Sequence, residues 1–172
     1  MTNPPAQVGE MRARGYDDAT IREAVVRQIR AAFHNVRLGT GIGLNEGQVL
    51  DDYGSDQERA IARERDEKDD WSVIAEHKLN ECCSSLSFFD AEGMRFHLPS
   101  FMLAEINDKF WYGLAFHLVR ANGRPEQFTL LNKEQRTAVR DFIDYMIDRS
   151  APEYDTVAMR AARYTAWGHG DV

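Results

Sequence analysis

The chain has 172 residues, with 21 Lys and Arg against 28 Asp and Glu, so its formal net charge is −7 and its isoelectric point is about 5.2. This acidic surplus argues against non-specific binding to nucleic acid and against a polybasic contact with membranes, because both need an excess of Lys and Arg. Nine Phe, six Tyr and three Trp are enough to anchor a core, which excludes a disordered chain.

Membrane-spanning and secreted classes are also disfavoured. No run of about 18 apolar residues occurs, and the N-terminal sequence lacks the apolar stretch of a secretory signal. The two cysteines, Cys82 and Cys83, are adjacent, so they make a poor disulfide framework and are expected to be reduced thiols. We therefore expect a cytoplasmic protein.

The length predicts one domain over 17–172, preceded by a flexible N-terminal arm over 1–16 in which two Pro and two Gly break the periodicity. The first helix is expected to start at a cap on Asp17 or Asp18 and to end near Val36. Its apolar residues recur at helical spacing. They are Ile21, Val25, Ile29, Ala32, Phe33 and Val36.

The next segment, LGTGIGLNEGQVLDDYGSD, interrupts this pattern with glycines. Asn45, with Gln48 three residues later, predicts a capped short helix that Gly54 ends. Ser55 with Glu58 predicts a second capping box, which opens a charged helix with little to bury. A further short helix is expected near 75–83.

Two apolar stretches leave the element type open. Residues 94–98 fit a strand after a DAEG turn, but a helix capped by Asp90 and broken at Pro99 is the favoured alternative. FWYGLAFHLV, residues 110–119, is apolar on nearly all sides and predicts a buried helix or a buried strand.

The C-terminal part predicts two more helices. Asn132, with Gln135 three residues later, caps an amphipathic helix to about Asp148. A last helix is expected over 152–167, anchored by Val157, Met159, Tyr164 and Trp167. The predicted fold class is therefore mainly α, a multi-helix domain with room for one short β-hairpin or small sheet, and α+β is the alternative.

Two stretches carry a resemblance to a known family. They are LGTGIGLNEGQVLDDYGSDQERAIARERDEKDDW and CSSLSFFDAEGMRFHLPSFMLAEI. Through the pattern Phe-Phe-x-x-Glu-Gly-x-Arg-Phe-x-Leu-Pro the chain resembles an uncharacterised bacterial family of small cytoplasmic proteins, a domain of unknown function. The resemblance implies one compact domain and brings no activity, cofactor or catalytic residue.

No cofactor or metal site is predicted. GTGIGL lacks the Lys and Ser or Thr of a phosphate-binding loop, and a helix rather than a strand precedes it. The five histidines show no zinc spacing, and no Gly-x-Ser-x-Gly elbow is present. We therefore expect no complete catalytic constellation within a single stretch of sequence.

The acidity is concentrated in one segment. Residues 51–70 hold nine acids and four bases, a local net charge of −5. Concentrated charge steers encounter with a partner of opposite sign, although a solubilising surface is the simpler interpretation. The sequence thus predicts a non-enzymatic interaction module, similar to immunity proteins, antitoxins or small regulators, with a basic protein partner. The candidate contacts are Asp51, Asp52, Tyr53, Asp56 and Glu58.

Two alternatives stay open. Arg95 and His97 are candidates to line a groove if their segment is extended, and an enzyme could assemble a site from distant residues such as Arg95, His97, His117 and Asp51. The chain could instead be a subunit of a homo-oligomer, with the exposed part of FWYGLAFHLV or the C-terminal Tyr164 and Trp167 as the contact.

Overall fold

A computed structural model describes residues 7–149 and 156–167 of the chain. Within these residues the chain is mainly α-helical and contains no β-strand, so the predicted fold class is confirmed and the α+β alternative is wrong. The α-helices are α1 (Val8–Ala13), α2 (Asp18–Ala32), α3 (Leu44–Asp51), α4 (Asp56–Glu64), α5 (Glu76–Glu81), α6 (Ala91–Ile106), α7 (Ala115–Val119), α8 (Lys133–Arg149) and α9 (Thr156–Thr165). Short 3₁₀ segments lie at Trp71–Val73, Cys83–Ser87, Arg120–Asn122 and Pro125–Phe128.

The chain divides into two compact units. Unit 1 comprises 1–34, 118–123 and 131–172, and unit 2 comprises 35–117 and 124–130. None of the helices in the described residues is long and apolar enough to cross a membrane.

Unit 1 is built on the packing of α2 against α8. Asp17 caps α2 by accepting a hydrogen bond from the backbone N–H of Thr20 at 2.7 Å. Asn132 and Gln135 cap α8 reciprocally, each side chain accepting from the other residue's backbone N–H. Both predicted caps are therefore confirmed, because each depends on residues only three positions apart. The α2 helix ends at Ala32, four residues before the predicted end.

Part of the expected N-terminal arm is helical. Residues 8–13 form α1, Val8 is buried, and Arg12 donates to Asp148 at 2.7 Å and to Asp18 at 3.2 Å. A buried apolar residue and two ion pairs hold this helix against the rest of unit 1. Residues 1–6 lie outside the described part of the chain.

The C-terminal helix α9 uses two of its four predicted anchors. Met159 and Trp167 are buried, and the Trp167 indole donates to the Leu118 carbonyl at 3.1 Å. Val157 and Tyr164 are exposed, so their assignment as core anchors is wrong. The two lie seven residues apart on one face of α9, and buried Met159 lies on the opposite face. The predicted start at Pro152 lies outside the described residues.

In unit 2 the helix α6 is buried along most of its length. Asp90 caps it by accepting from the Gly93 N–H at 2.8 Å, which confirms the favoured helical interpretation, and the strand alternative for residues 94–98 is wrong. The predicted break at Pro99 is also wrong, because the helix continues to Ile106. Pro99 removes one backbone hydrogen bond, but both it and the flanking residues of α6 are buried, and this packing holds the helix together.

The segment 110–119 is less regular than predicted. Its helix covers only Ala115–Val119, while Phe110 and Leu114 are buried and Trp111 and Tyr112 are exposed. Gly113 adopts a left-handed conformation with φ +73°, which breaks the run between the aromatic residues and the helix. The expectation of a fully buried element is therefore wrong.

Candidate functional site

The turn that joins α3 to α4 carries the first group of candidate residues. Gly54 donates its backbone N–H to the Val49 carbonyl at 2.8 Å, and Tyr53 donates to the Leu50 carbonyl at 3.3 Å. This pair of bonds is the Schellman arrangement that ends many helices, and it requires a left-handed residue just after the cap. Tyr53 occupies that position, with φ +56°.

Tyrosine is an unusual choice for this position. A left-handed conformation costs a residue with a Cβ roughly 1 kcal/mol, and glycine avoids that cost. The Tyr53 side chain is 97% exposed, so no burial within the protein offsets the strain. A strained residue with no role in the core is typical of a functional position.

Carboxylates lie on both sides of this tyrosine. Asp51 is half-buried in the last turn of α3, Asp52 caps that helix in an exposed position, and Asp56 opens α4 with a fully exposed side chain. We call these three residues together with Tyr53 the turn surface. The structure thus places four of the five predicted contacts at one turn.

Glu58, the fifth predicted contact, has a structural role. Its carboxylate accepts from the Ser55 backbone N–H and hydroxyl, each at 2.8 Å, while the Ser55 hydroxyl accepts from the Glu58 N–H. The predicted capping box is therefore confirmed. The hydrogen bonds from the Ser55 backbone and side chain hold the pKa of Glu58 below its usual value, so its charge persists in moderately acidic solution.

The arginines of α4 make their shortest salt bridges with Glu46, outside the turn surface. Arg59 and Arg63 bind the buried carboxylate of Glu46 at 3.1 and 2.8 Å, and Arg63 also donates to the Gly41 carbonyl at 2.7 Å. Arg59 has one weaker contact with Asp56 at 3.4 Å. Two of the four bases in the acidic segment therefore compensate a buried acid that lies outside it, which leaves the exposed carboxylates less neutralised.

The start of α3 is occupied by a side chain of the protein itself. The Asp66 carboxylate accepts from the backbone N–H of Asn45 at 2.6 Å and from that of Glu46 at 3.2 Å, the place where a phosphate would bind a helix N-terminus. A Cβ on Gly43 would overlap this carboxylate, so the glycine permits the close approach. Burial raises the pKa of Asp66, although the hydrogen bonds from Asn45 and Glu46 act in the opposite direction.

The expected cap of α3 is consequently wrong. Asn45 and Gln48 do not form a capping box: α3 begins after Gly43, and Asp66 takes the Asn45 backbone N–H that the Gln48 side chain would have accepted from. The sequence could not reveal this substitution, because Asp66 lies 21 residues from Asn45.

The glycine segment before α3 docks on the start of α6. Asp90 accepts from the Ile42 N–H at 3.0 Å as well as from its own helix, and Thr40 donates its hydroxyl to Glu92 at 2.6 Å. A Cβ on Gly93 would overlap the Ile42 carbonyl, so this glycine too is required by a close approach. The two stretches that carried the family resemblance therefore meet here, just before the start of α3.

The groove candidates lie on α6. His97 is completely buried, its ring stacks on Phe89 at 4.5 Å between centroids, and its Nδ1 lies 2.8 Å from the Gly93 carbonyl. Burial lowers the pKa of His97 to about 4. Arg95 is half-buried. A ring without exposed surface cannot meet a substrate in this conformation, so the geometry favours a structural role for His97.

Metal chemistry has no support in the described part of the chain. No group of three or more His, Cys, Asp and Glu side chains is placed to hold a metal ion in residues 7–149 and 156–167. Cys82 is buried and Cys83 half-buried, both as free thiols, and burial raises the pKa of Cys82, which disfavours a reactive thiolate.

The segment FWYGLAFHLV, whose exposed part is one of the predicted oligomer contacts, carries exposed aromatic side chains. Trp111, Tyr112 and Phe116 are all largely exposed in unit 2. The turn signal Asn107-Asp108 just before them indicates that the chain leaves α6 there, and Asp108 has φ +58°. That signal could have shown that the apolar run does not continue as one buried element.

Comparison with known proteins identifies a family. No curated protein and no solved structure matches the chain. One family model, described as a family of unknown function (DUF6714), matches residues 21–167. This match covers most of both units and confirms the expected domain of unknown function. The chain therefore belongs to the family of unknown function DUF6714.

Proposed function

We propose that this protein is an interaction module that binds a basic protein partner through the turn surface, Asp51, Asp52, Tyr53 and Asp56. The observation that carries the proposal is Tyr53, a 97% exposed aromatic side chain in a strained left-handed conformation. The left-handed conformation ends α3, but the fold does not require a tyrosine at that position, and a partner that contacts the ring would explain the choice.

The chemistry of the turn surface matches a cationic partner. A tyrosine ring attracts Arg and Lys through its π face, and its hydroxyl can donate or accept a hydrogen bond. Tyrosine is also enriched among the residues that dominate binding energy at interfaces. The carboxylates beside it pair with Arg or Lys and reject acidic competitors.

Charge distribution supports the same partner class. The segment 51–70 carries a net charge of −5 out of the −7 of the whole chain. With Arg59 and Arg63 bound to Glu46, a basic protein meets the negative charges of the segment first. Such steering accelerates association and weakens as salt concentration rises. A chain of this kind could act as an immunity-type inhibitor, an antitoxin-like protein or a small regulator.

A capture experiment tests the proposal. The protein is immobilised and exposed to a lysate of its own source cells, and bound proteins are quantified for the native chain and for the triple variant Asp51→Asn, Asp52→Asn, Asp56→Asn. We expect one or more proteins of basic isoelectric point to bind the native chain and to fall at least about tenfold with the variant, as for lost contacts at an interface centre.

A matched control removes the same number of charges elsewhere. Glu23, Glu126 and Glu134 are exposed, and changing all three to Gln should leave capture unchanged. If the turn variant and the control variant lose captured protein equally, general electrostatic attraction explains the binding and the proposed site is wrong. If the turn variant captures the same proteins in the same amounts as the native chain, the proposal fails.

A further inference from the structure

Unit 2 exposes three aromatic side chains within six residues. Trp111 is 78% exposed, Tyr112 63% and Phe116 55%. We call these three residues the aromatic patch. Single exposed apolar residues are ordinary, whereas three large exposed aromatic residues within six positions are unusual and call for an explanation. The patch is separate in sequence from the turn surface and is not used by the proposed function.

The backbone that carries the patch is fixed from both sides. Asn80 accepts from the Trp111 N–H at 3.0 Å and donates to the Lys109 carbonyl at 2.7 Å. Buried Glu105 accepts from the Leu114 N–H at 2.6 Å. These bonds hold the segment 109–114 in one conformation, so binding would lose little conformational entropy in ordering it.

The residue between these fixed points is an anchor. Phe110 is buried and packs edge-on against Phe101, with 5.0 Å between ring centroids. The Tyr112 ring lies 6.1 Å from the Phe110 ring, measured between centroids, yet Trp111 and Tyr112 remain largely exposed. The packing of Phe110 therefore fixes the backbone from which these two side chains extend.

We propose that the aromatic patch is a self-association surface, through which two copies of this chain form a reversible dimer. Local charge favours a second copy as the occupant. Each copy carries a net charge of −7, so two copies repel one another wherever their acidic segments meet. In the segment 107–117 one acid, Asp108, and one base, Lys109, cancel, and both are exposed.

A twofold arrangement makes this neutral segment complementary to itself. In such an interface, if one residue meets a second residue of the other copy, the reverse contact forms as well. Lys109 of each copy can therefore pair with Asp108 of the other, which gives two equivalent ion pairs at the rim of the aromatic patch. A basic partner gains no comparable attraction here and is drawn to residues 51–70 instead.

The available area sets the strength of the contact. At the exposures given, the three aromatic residues offer about 400 Å² per copy. A stable interface buries roughly 800 Å² per partner, so the aromatic patch supports a weak dimer that dissociates on dilution. We accordingly expect association to depend steeply on protein concentration.

Sedimentation velocity measures this association directly. Over a range from about 5 μM to about 500 μM, which brackets weak interfaces, the weight-average mass should rise from 19.7 kDa toward twice that value. The double variant Trp111→Ser, Phe116→Ser should stay monomeric throughout. The matched control Tyr164→Ser, which removes an exposed aromatic ring from α9, should dimerise as the native chain does.

Tryptophan fluorescence supplies a second measurement on the unaltered protein. Of the three tryptophans, Trp71 and Trp167 are buried and Trp111 is exposed. Dimerisation should therefore shift the emission of Trp111 to shorter wavelength as concentration rises. The variant Lys109→Glu, which adds repulsion at the rim, should move this transition to higher concentration, whereas the exposed Lys133→Glu should not.

Other outcomes would overturn the proposal. A native chain that stays monomeric at the highest concentration contradicts it, as does association that the double variant retains. Binding of the monomer to neutral phosphatidylcholine vesicles, lost in the Trp111→Ser, Phe116→Ser variant, would show that the patch contacts a membrane. Capture of a different protein by a monomer, lost in the same variant, would show that the patch belongs to a heterologous interface.

Discussion

Tyr53 and His97 differ in whether contacts within the protein explain their positions. Tyr53 is exposed at a position where the backbone prefers glycine, whereas His97 is buried in a position where a polar ring needs compensation. For His97 the compensation is the Gly93 carbonyl at Nδ1 and the stacked Phe89 ring. For Tyr53 the described residues provide no comparable packing, which is why we assign it to a partner.

Replacing Tyr53 by glycine should stabilise the protein. Glycine adopts the left-handed conformation without the steric cost of a Cβ, so Tyr53→Gly should exceed Tyr53→Ala in free energy of unfolding by up to about 1 kcal/mol. Urea denaturation of the native chain and both variants measures this difference. Should Tyr53→Gly prove less stable than Tyr53→Ala, the backbone strain inferred at this turn would be absent.

Stability should fall in acid because of His97. Its pKa is about 4 in the folded protein and about 6.5 when unfolded, so the unfolded chain binds the proton first as the pH falls. The contribution of the neutral ring is complete above pH 6.5 and declines by about 3 kcal/mol between about pH 6.5 and pH 4.

A variant isolates this contribution. The unfolding free energy of His97→Phe, which keeps a ring against Phe89, should lose this part of the pH dependence. The raised pKa values of Asp66 and Asp141 act in the opposite direction in both proteins, and they cancel when the native chain and the variant are compared. Parallel pH profiles for the two proteins would show that His97 does not titrate as described.

For the helices, caps formed by residues close in sequence could be predicted, whereas a cap formed by a residue distant in sequence could not. The caps at Asp17, Ser55, Asp90 and Asn132 were readable from sequence, because each uses residues no more than three positions away. The cap of α3 was not, because it comes from Asp66.

Tertiary packing explains the remaining errors in the elements. By local rules Pro99 predicts a break in the helix, yet the burial of α6 keeps the helix continuous through Pro99. The exposure of Val157 and Tyr164 could not be foreseen, since both belong to an apolar pattern whose buried face is chosen by packing in unit 1. For the candidate site, the charge of the segment was readable, but the pairing of Arg59 and Arg63 with Glu46 was not.

The contact between Gly43 and Asp66 predicts a coupled pair of substitutions. Gly43→Ala should destabilise the protein by about 2 kcal/mol, because the new methyl group overlaps the Asp66 carboxylate. In an Asp66→Ala background the same change should cost about 1 kcal/mol less, since the overlapping group is gone.

Denaturation of the four proteins in this cycle measures the coupling. Gly123→Ala serves as the control, because a Cβ there meets only the Arg120 carbonyl at an ordinary 3.5 Å. Strictly additive effects of the two substitutions would contradict the assignment of Gly43 to this close approach.

For the whole molecule, apolar periodicity and capping signals predicted a mainly α-helical fold but not its internal division. The mainly α-helical fold is confirmed, whereas the division into two units is not visible as any linker in the sequence. The family match from residue 21 to residue 167 includes parts of both units. The domain boundary at residue 17 stays a prediction.

The acidic segment and the aromatic patch differ in local charge, and we therefore propose a different partner for each. In the two proposals, the acidic segment attracts a basic protein, and the neutral aromatic patch accommodates a second copy of the chain. The two contacts depend on different residues, so each can be removed without the other.

The most direct test of the central claim is the capture of a basic partner by Tyr53→Gly, measured together with the unfolding free energy of that variant. We expect captured partner to fall at least about tenfold while the variant is as stable as the native chain or more stable. Loss of binding could then not be attributed to unfolding. Full capture by Tyr53→Gly would contradict the account, because the residue on which the turn surface depends would contribute nothing to binding.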